Sequence, residues 1–360
     1  MHAKRRADVA LSNHGHRMYR LTRIVPLSAV LLAIFTPLKA ELPTTTTVTA
    51  IRLDPDDLHR SRVGELIWRG GVDIQHSDPR FGGLSGLHIG QDGKRLIAVS
   101  DRGYRVTARL GYAKGALTDV TDIHVARLRR SNGAPAKGGW HDAESLSPDG
   151  NGGFLVSFER RHRIVNYPTR NGTPLADRPS RLTLPQDAAT QPFNGGIEAL
   201  TRLCDGRFIA ISEKAKSKGN ENTRGMWIGR GDTWRSTAYP AFQAFSPTGA
   251  ATLPDCSVLV VERSFNIVEG VRARIVRLSA TAFDPKNKVT TQELAYIAPP
   301  LSVDNMEGIA VRKGDAGETL IYLVSDNNFS GYQRTLLMMF ELAPSATPSV
   351  KSRSTPKSSD

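Results

Sequence analysis

The chain has 360 residues with 48 Lys and Arg against 35 Asp and Glu, a formal net charge of +13, and only two cysteines. Seven of those bases and one acid fall in residues 1–40, so the other 320 residues carry a net charge of only +7. That mild excess suits an anionic ligand, and no Lys/Arg block interleaved with aromatics marks a nucleic-acid surface.

Residues 19–40, YRLTRIVPLSAVLLAIFTPLKA, have Arg20 and Arg23 ahead of an apolar run from Ile24 to Leu38. The run is too short to span a bilayer comfortably and ends at Ala40, the pattern of a secretory leader cut near that residue. Met18 offers a second start in place of Met1. The expectation is an exported, periplasmic or secreted chain with no transmembrane anchor after cleavage. Residues 344–360 are rich in Pro, Ser and Lys and read as a disordered tail. The folded domain is therefore expected over 41–343.

Short apolar runs then alternate with Gly, Asp, Asn and Pro, and helical periodicity is scarce. A unit recurs along the chain. It appears as GGLSGLHIGQDGKRLIAVSDRG at 82–103, DAESLSPDGNGGFLVSFERR at 142–161 and GGIEALTRLCDGRFIAISEK at 195–214. PTGAATLPDCSVLVVERSF at 247–265 and DNMEGIAVRKGDAGETLIYLVSDNNF at 304–329 complete the series. A small or acidic residue opens an apolar strand, a turn usually built on Asp-Gly follows, and a second apolar strand ends in an acid. Aligned on Ser85, Glu144, Glu198, Thr248 and Glu307, the units recur at intervals of 59, 54, 50 and 59 residues. The second-strand acids read as Asp101, Glu159, Glu213, Glu262 and Asp326.

Multi-stranded repeats of that length indicate an all-β propeller. Five units are visible. The segments 47–53 and 335–342 are expected to pair as strands from the two termini and close a sixth blade, with five blades as the fallback.

In an antiparallel hairpin the strand openers and second-strand ends share one end. Glu144, Glu198 and Glu307 should meet Glu159, Glu213 and Asp326 there, with Asp142, Asp304 and Asn305 crowding the same mouth. A ring of carboxylates needs a cation, a basic neighbour or raised pKa values. Six to eight oxygens suit Ca²⁺, and the lack of thiolates or clustered histidines argues against zinc. The metal-ligating candidates are Asp142, Glu144, Glu198, Asp304, Glu307 and Asp326. Glu144, Glu198 and Glu307 are also the catalytic candidates. Arg102, Arg160, Lys214 and Arg263 follow the second-strand acids, and guanidinium forks match phosphate oxygens. The same charges can equally form salt bridges between blades. Ser85 lacks a nucleophile-elbow context. Cys204 and Cys256 lie at the turns of adjacent units, as a disulfide or as two free thiols.

Together the five quoted units resemble the phytase-like family of secreted bacterial proteins, described by the esterase-like activity of phytase. The resemblance runs from about Phe81 to Leu342. It implies a propeller and a hydrolase of phosphoric or related esters. By analogy with propeller phytases, it implies calcium held by carboxylates at one end of the channel. The chain is expected to be a monomer, and the alternatives on the residues are a non-catalytic propeller that binds an anionic ligand or envelope partner, and a metal-dependent lactonase-like hydrolase.

Overall fold

The fold follows from five hairpins whose inner strands begin at the aligned residues. In this computed structural model, residues 44–217 and 222–344 are described. The leader, the Ala40 cut, the alternative start and the tail from 345 onward lie outside the described residues.

Five antiparallel blades can be traced, each built outward from an inner strand. The inner strands are Leu84–Ile89, Ala143–Pro148, Ile197–Arg202, Ser246–Thr252 and Met306–Lys313. Each packs against the next, and the fifth packs against the first, so the cycle closes. The residue after each opener is small: Gly86, Ser145, Ala199, Gly249 and Gly308. Backbones approach closely here. A Cβ on Gly86 would lie 2.6 Å from Leu146 N, and one on Gly308 would lie 2.9 Å from Ser85 O.

The apolar runs are continuous because both faces of every blade are covered. Along the second strand of blade two, Val156 packs toward blade one and Leu155 toward blade three. Five apolar clusters result, one at each interface between neighbouring blades. The hairpin turns repeat one device. Asp92, Asp149, Asp205 and Asp255 each accept the backbone N–H two residues on, at 2.7–3.1 Å. In blade four Cys256 takes the left-handed position that glycine holds elsewhere, at φ 67°.

The expected sixth blade does not form among the described residues. Strand Leu66–His76 joins Leu336–Leu342 as the outermost strand of blade five, with Trp68 opposite Phe340. Thr46–Ala50 pairs with Leu66–His76, not with the C-terminal strand. The termini therefore do close the ring, but they complete the fifth blade. A single parallel bridge, Gly70 to Leu117, links the outer edges of blades five and one.

Candidate functional site

Every inner strand carries a β-bulge at its opener. The register shifts between Leu84 and Gly86, Ala143 and Ser145, Ile197 and Ala199, Pro247 and Gly249, and Met306 and Gly308. The unpaired residue is in turn Ser85, Glu144, Glu198, Thr248 and Glu307. A bulge re-aims one side chain and bends its strand, and bulges recur at barrel rims. Three glutamates and two hydroxyl residues thus escape the alternation that would send them into a blade interface. Thr248 donates to Met306 O at 2.8 Å, and Ser85 Oγ donates to Gly83 O at 3.4 Å, so the two hydroxyls serve neighbouring backbone.

A second tier lies beside the first. Asp101, Glu159, Glu213 and Asp326 donate their backbone N–H to Gly83, Asp142, Gly196 and Asn305 at 2.9 Å, each two residues before a bulged opener. In blade four that place belongs to Arg263, opposite Ser246, because Glu262 pairs with Pro247. The reading of Glu262 as a ring acid is therefore corrected. Its side chain is buried on the other face, where Tyr239 donates to it at 2.6 Å and Arg274 lies 3.0 Å away. One signal was available. The opener-to-acid interval is 15 residues in blades two and three, and 15 from Thr248 reaches Arg263.

Two carboxylate triads result. Oxygens of Asp142, Glu144 and Glu159 lie within 4.8 Å of one another, as do those of Glu159, Glu198 and Glu213. Glu159 belongs to both. It accepts N–H bonds from Gly195 and, at 2.9 Å, from Gly196. Glu198 is buried, and its Oε2 has no hydrogen-bond partner. Glu159 and Glu213 were recognised in the sequence as ring neighbours but not as members of the site itself.

Of the remaining candidates, Glu307 accepts from Arg263 Nε at 2.7 Å and from Asn305 Nδ2 at 2.9 Å. Arg263 also lies 3.6 Å from Glu213. Asp304 sits to one side, where it accepts from the backbone N–H of Arg334 at 3.0 Å. Asp326 accepts from Asn328 N at 2.6 Å. Arg160 pairs with Asp142 at 2.5 Å and Lys214 with Glu213 at 2.9 Å. Arg102 has its guanidinium carbon 3.3 Å from the centroid of the Phe329 ring, and its charge partly offsets the burial of Asp101.

Burial is the main force on these acids. It pushes Glu144 and Glu198 well above the usual carboxylate range, and the neighbours Asp142 and Glu213, respectively, push further. Burial raises Glu307 to about 7 even though Arg263 opposes the shift. Asp326 rises to about 8, through burial and then Glu307. Asp101, Asp142 and Glu159 are raised by the same desolvation. Arg263 is held protonated, chiefly by Glu307. The mouth therefore collects more negative charge than it can ionise at neutral pH, so its carboxyls share protons.

Outside the tiers the rim is uneven. On the side of blades one and two, the guanidinium carbons of Arg130 and Arg161 lie 4.3 and 4.4 Å from the Trp140 ring centroid. Arg163 is buried beneath them and donates to the backbone carbonyls of Arg161 and Trp140. Phe265 and Tyr332 stand exposed on the side of blades four and five.

At the far mouth Cys204 and Cys256 form a disulfide between the turns of blades three and four, with Cα atoms 5.6 Å apart. No helix among the described residues is long and apolar enough to cross a membrane.

The sequence profile of the family described as "Phytase-like: Esterase-like activity of phytase" matches residues 79–329. No curated protein matches the chain at a significant level. Among solved structures, the PQQ-bound aldose sugar dehydrogenase of Streptomyces coelicolor is similar at 14% identity and a TM-score of 0.40, covering 83% of this chain and 99% of that one. A protein of unknown function from Dyadobacter fermentans aligns at 14% identity and 0.38, over 83% and 91%. A gluconolactonase of Xanthomonas campestris aligns at 10% identity and 0.35, over 78% and 91%. None of these three likenesses bears on what this chain does.

Proposed function

This chain belongs to the phytase-like family, and on that premise we propose that it hydrolyses phosphoric or related esters at the acid mouth of its channel with a divalent cation. The observation that carries this reading is the buried Oε2 of Glu198, which has no hydrogen-bond partner and shares a triad with the carboxylates of Glu159 and Glu213. A buried acceptor without a donor is unfavourable unless something positive meets it. Every ligand atom on offer is oxygen, which favours a hard cation such as Ca²⁺ over zinc. Asp142, Glu144 and Glu159 would hold it, or Glu159, Glu198 and Glu213. When bound, the cation supplies Lewis-acid polarisation of the ester and a more acidic water.

The chain's own residues do the rest. Arg263 presents its guanidinium beside Glu307 and Glu213, where it can receive an anionic oxygen of the ester. Arg160, Lys214 and Arg102 extend that positive rim. Glu307 at about 7 and Asp326 at about 8 are poised to take up and return a proton near neutral pH. Export fits the disulfide, which persists in oxidising compartments.

A second reading has its own support. The Arg263–Glu307 pair already supplies one cation within the ring, as a non-catalytic anion-binding propeller would require.

The test is a substrate panel of phytate, a chromogenic phosphomonoester, a carboxyl ester and a lactone, run with Ca²⁺ and with EDTA. Turnover that EDTA abolishes and Glu198→Gln lacks is the expected result. Binding of anions without turnover of any of the four would move the chain to the second reading.

A further inference from the structure

One cavity adjoins the acid mouth without belonging to it. It has a volume of about 610 Å³ and lies between the rims of blades four and five. Its walls come from the hairpin that joins strands Val258–Asn266 and Gly270–Leu278, from the segment 299–305 ahead of strand Met306–Lys313, and from the loop after strand Thr319–Ser325. Phe265, Val271, Pro299, Val303 and Tyr332 make those walls largely apolar.

Two of these side chains are poorly covered by the chain itself. Phe265 is 64% exposed and Tyr332 is 99% exposed. Ile267 and Val268 at the same hairpin tip are also exposed, next to the cavity rather than lining it. Single exposed apolar residues are ordinary, whereas several around one concavity mark a binding site.

The inner end of the cavity is polar and reaches the ring. Arg263, Asp304 and Asn305 line it, and Arg263 and Asn305 both hydrogen-bond Glu307. Arg263 gives its Nε to Glu307, and its Nη1 has no hydrogen-bond partner among the described residues. A ligand filling this space therefore meets the Arg263 guanidinium at one end, with Asp304 nearby, and walls that are apolar at Phe265, Val271, Pro299, Val303 and Tyr332 and polar at Asn328, Ser330 and Gln333.

Resting on the function proposed above, we propose that the substrate is amphipathic: an anionic ester whose apolar alkyl or aryl group lies between the hairpin tip 264–271 and the loop 327–333, with its charged head at Arg263. Such a ligand buries Phe265 and Tyr332, which a fully hydrophilic polyphosphate would leave in water. Phe265 and Val271, opposite each other in their hairpin, set the length of chain accepted.

Two calorimetric titrations with the whole domain separate this proposal from the reading it rests on. One uses alkylphosphonates of increasing chain length in the presence of Ca²⁺, and the other uses uncharged n-alkanols of the same lengths. Affinity is expected to climb about three- to fourfold per added methylene in both series until the cavity is full. Each phosphonate should bind more tightly than the matching alkanol. Val271→Asp should flatten both slopes. Phe265→Ser, at an exposed position that folding does not depend on, should make them shallower.

Flat slopes in the wild-type protein overturn the proposal, as do slopes that Val271→Asp leaves unchanged. Alkanol binding that climbs as expected, while phosphonates gain nothing over alkanols, would sustain the cavity and defeat the anionic-ester reading instead. A wild-type dimer that Val271→Asp dissociates, with flat slopes, would assign the surface to a second copy of the chain and overturn the proposal.

Discussion

The two ends of the channel are made by the same five hairpins and obey opposite rules. At the turn end, local chemistry and fold agree. Aspartates cap their own turns, Thr252 donates to Arg202 O at 2.7 Å, and Arg202 N–H meets Ser147 Oγ at 3.0 Å. A disulfide ties two turns together. At the acid end, strands open with glutamates, which strands disfavour, on bulges that interrupt their pairing. Their carboxyls are buried, crowd one another and in part lack donors. The difference teaches where stability resides and where it has been given up. Local inconsistency concentrated at one end of an otherwise consistent fold is the pattern expected of the ligand site proposed there.

If that division is real, the two ends should respond separately. The largest effect is expected at the turn end. Removing the disulfide with Cys204→Ser and Cys256→Ser opens a link across 52 residues and should lower stability by roughly 4 kcal/mol in a denaturant titration. Cation affinity should not change. A parallel loss of affinity would break the comparison, because it would mean that the turns position the acids.

Next comes Glu198→Gln. Calcium affinity should fall by roughly 100-fold, while the cation-free protein melts higher because one acid fewer competes for protons in the crowded mouth. Thermal scans with and without Ca²⁺ read both effects. An undiminished Ca²⁺-induced shift would return Glu198 to a purely structural role.

The smallest effect is a pH dependence of unusual sign. Glu307 at about 7 and Asp326 at about 8 lie above their ordinary values of 4.5 and 3.8. Between those limits the folded chain binds more protons than the unfolded one, so stability must fall as pH rises. The cation-free protein should lose on the order of 5 °C in Tm from pH 5 to pH 8. Saturating Ca²⁺ should flatten the slope by compensating the charge. A Tm that rises through this window without cation would contradict the buried-acid account.

Much of this was legible along the chain. Hairpins built on Asp-Gly turns and two apolar runs are local features, so all five units were visible. Glu144, Glu198 and Glu307 could be aligned because each sits at a fixed place in its unit. The blade count was not local. Leu66–His76 and Leu336–Leu342 are far apart in sequence, and only their pairing shows that they complete blade five. Glu262 was misread for a related reason. The run Val258–Glu262 ends in an acid, as its counterparts do, but the register across the bulge places Arg263 at the ring. Strand side chains alternate faces, so a slip of one residue exchanges the channel for the blade interface.

What the sequence determined alone was therefore the repeating unit: its strands, its turns and the residue type at its head, all set by interactions within about twenty residues. The tertiary structure decided what ring closure and register control. Five bulges aim their residues at a shared mouth, Glu159 joins two triads, and an arginine stands where a fifth acid was expected. Those outcomes depend on the distance between side chains from different blades and on how much water their packing removes. No stretch of one strand encodes either quantity.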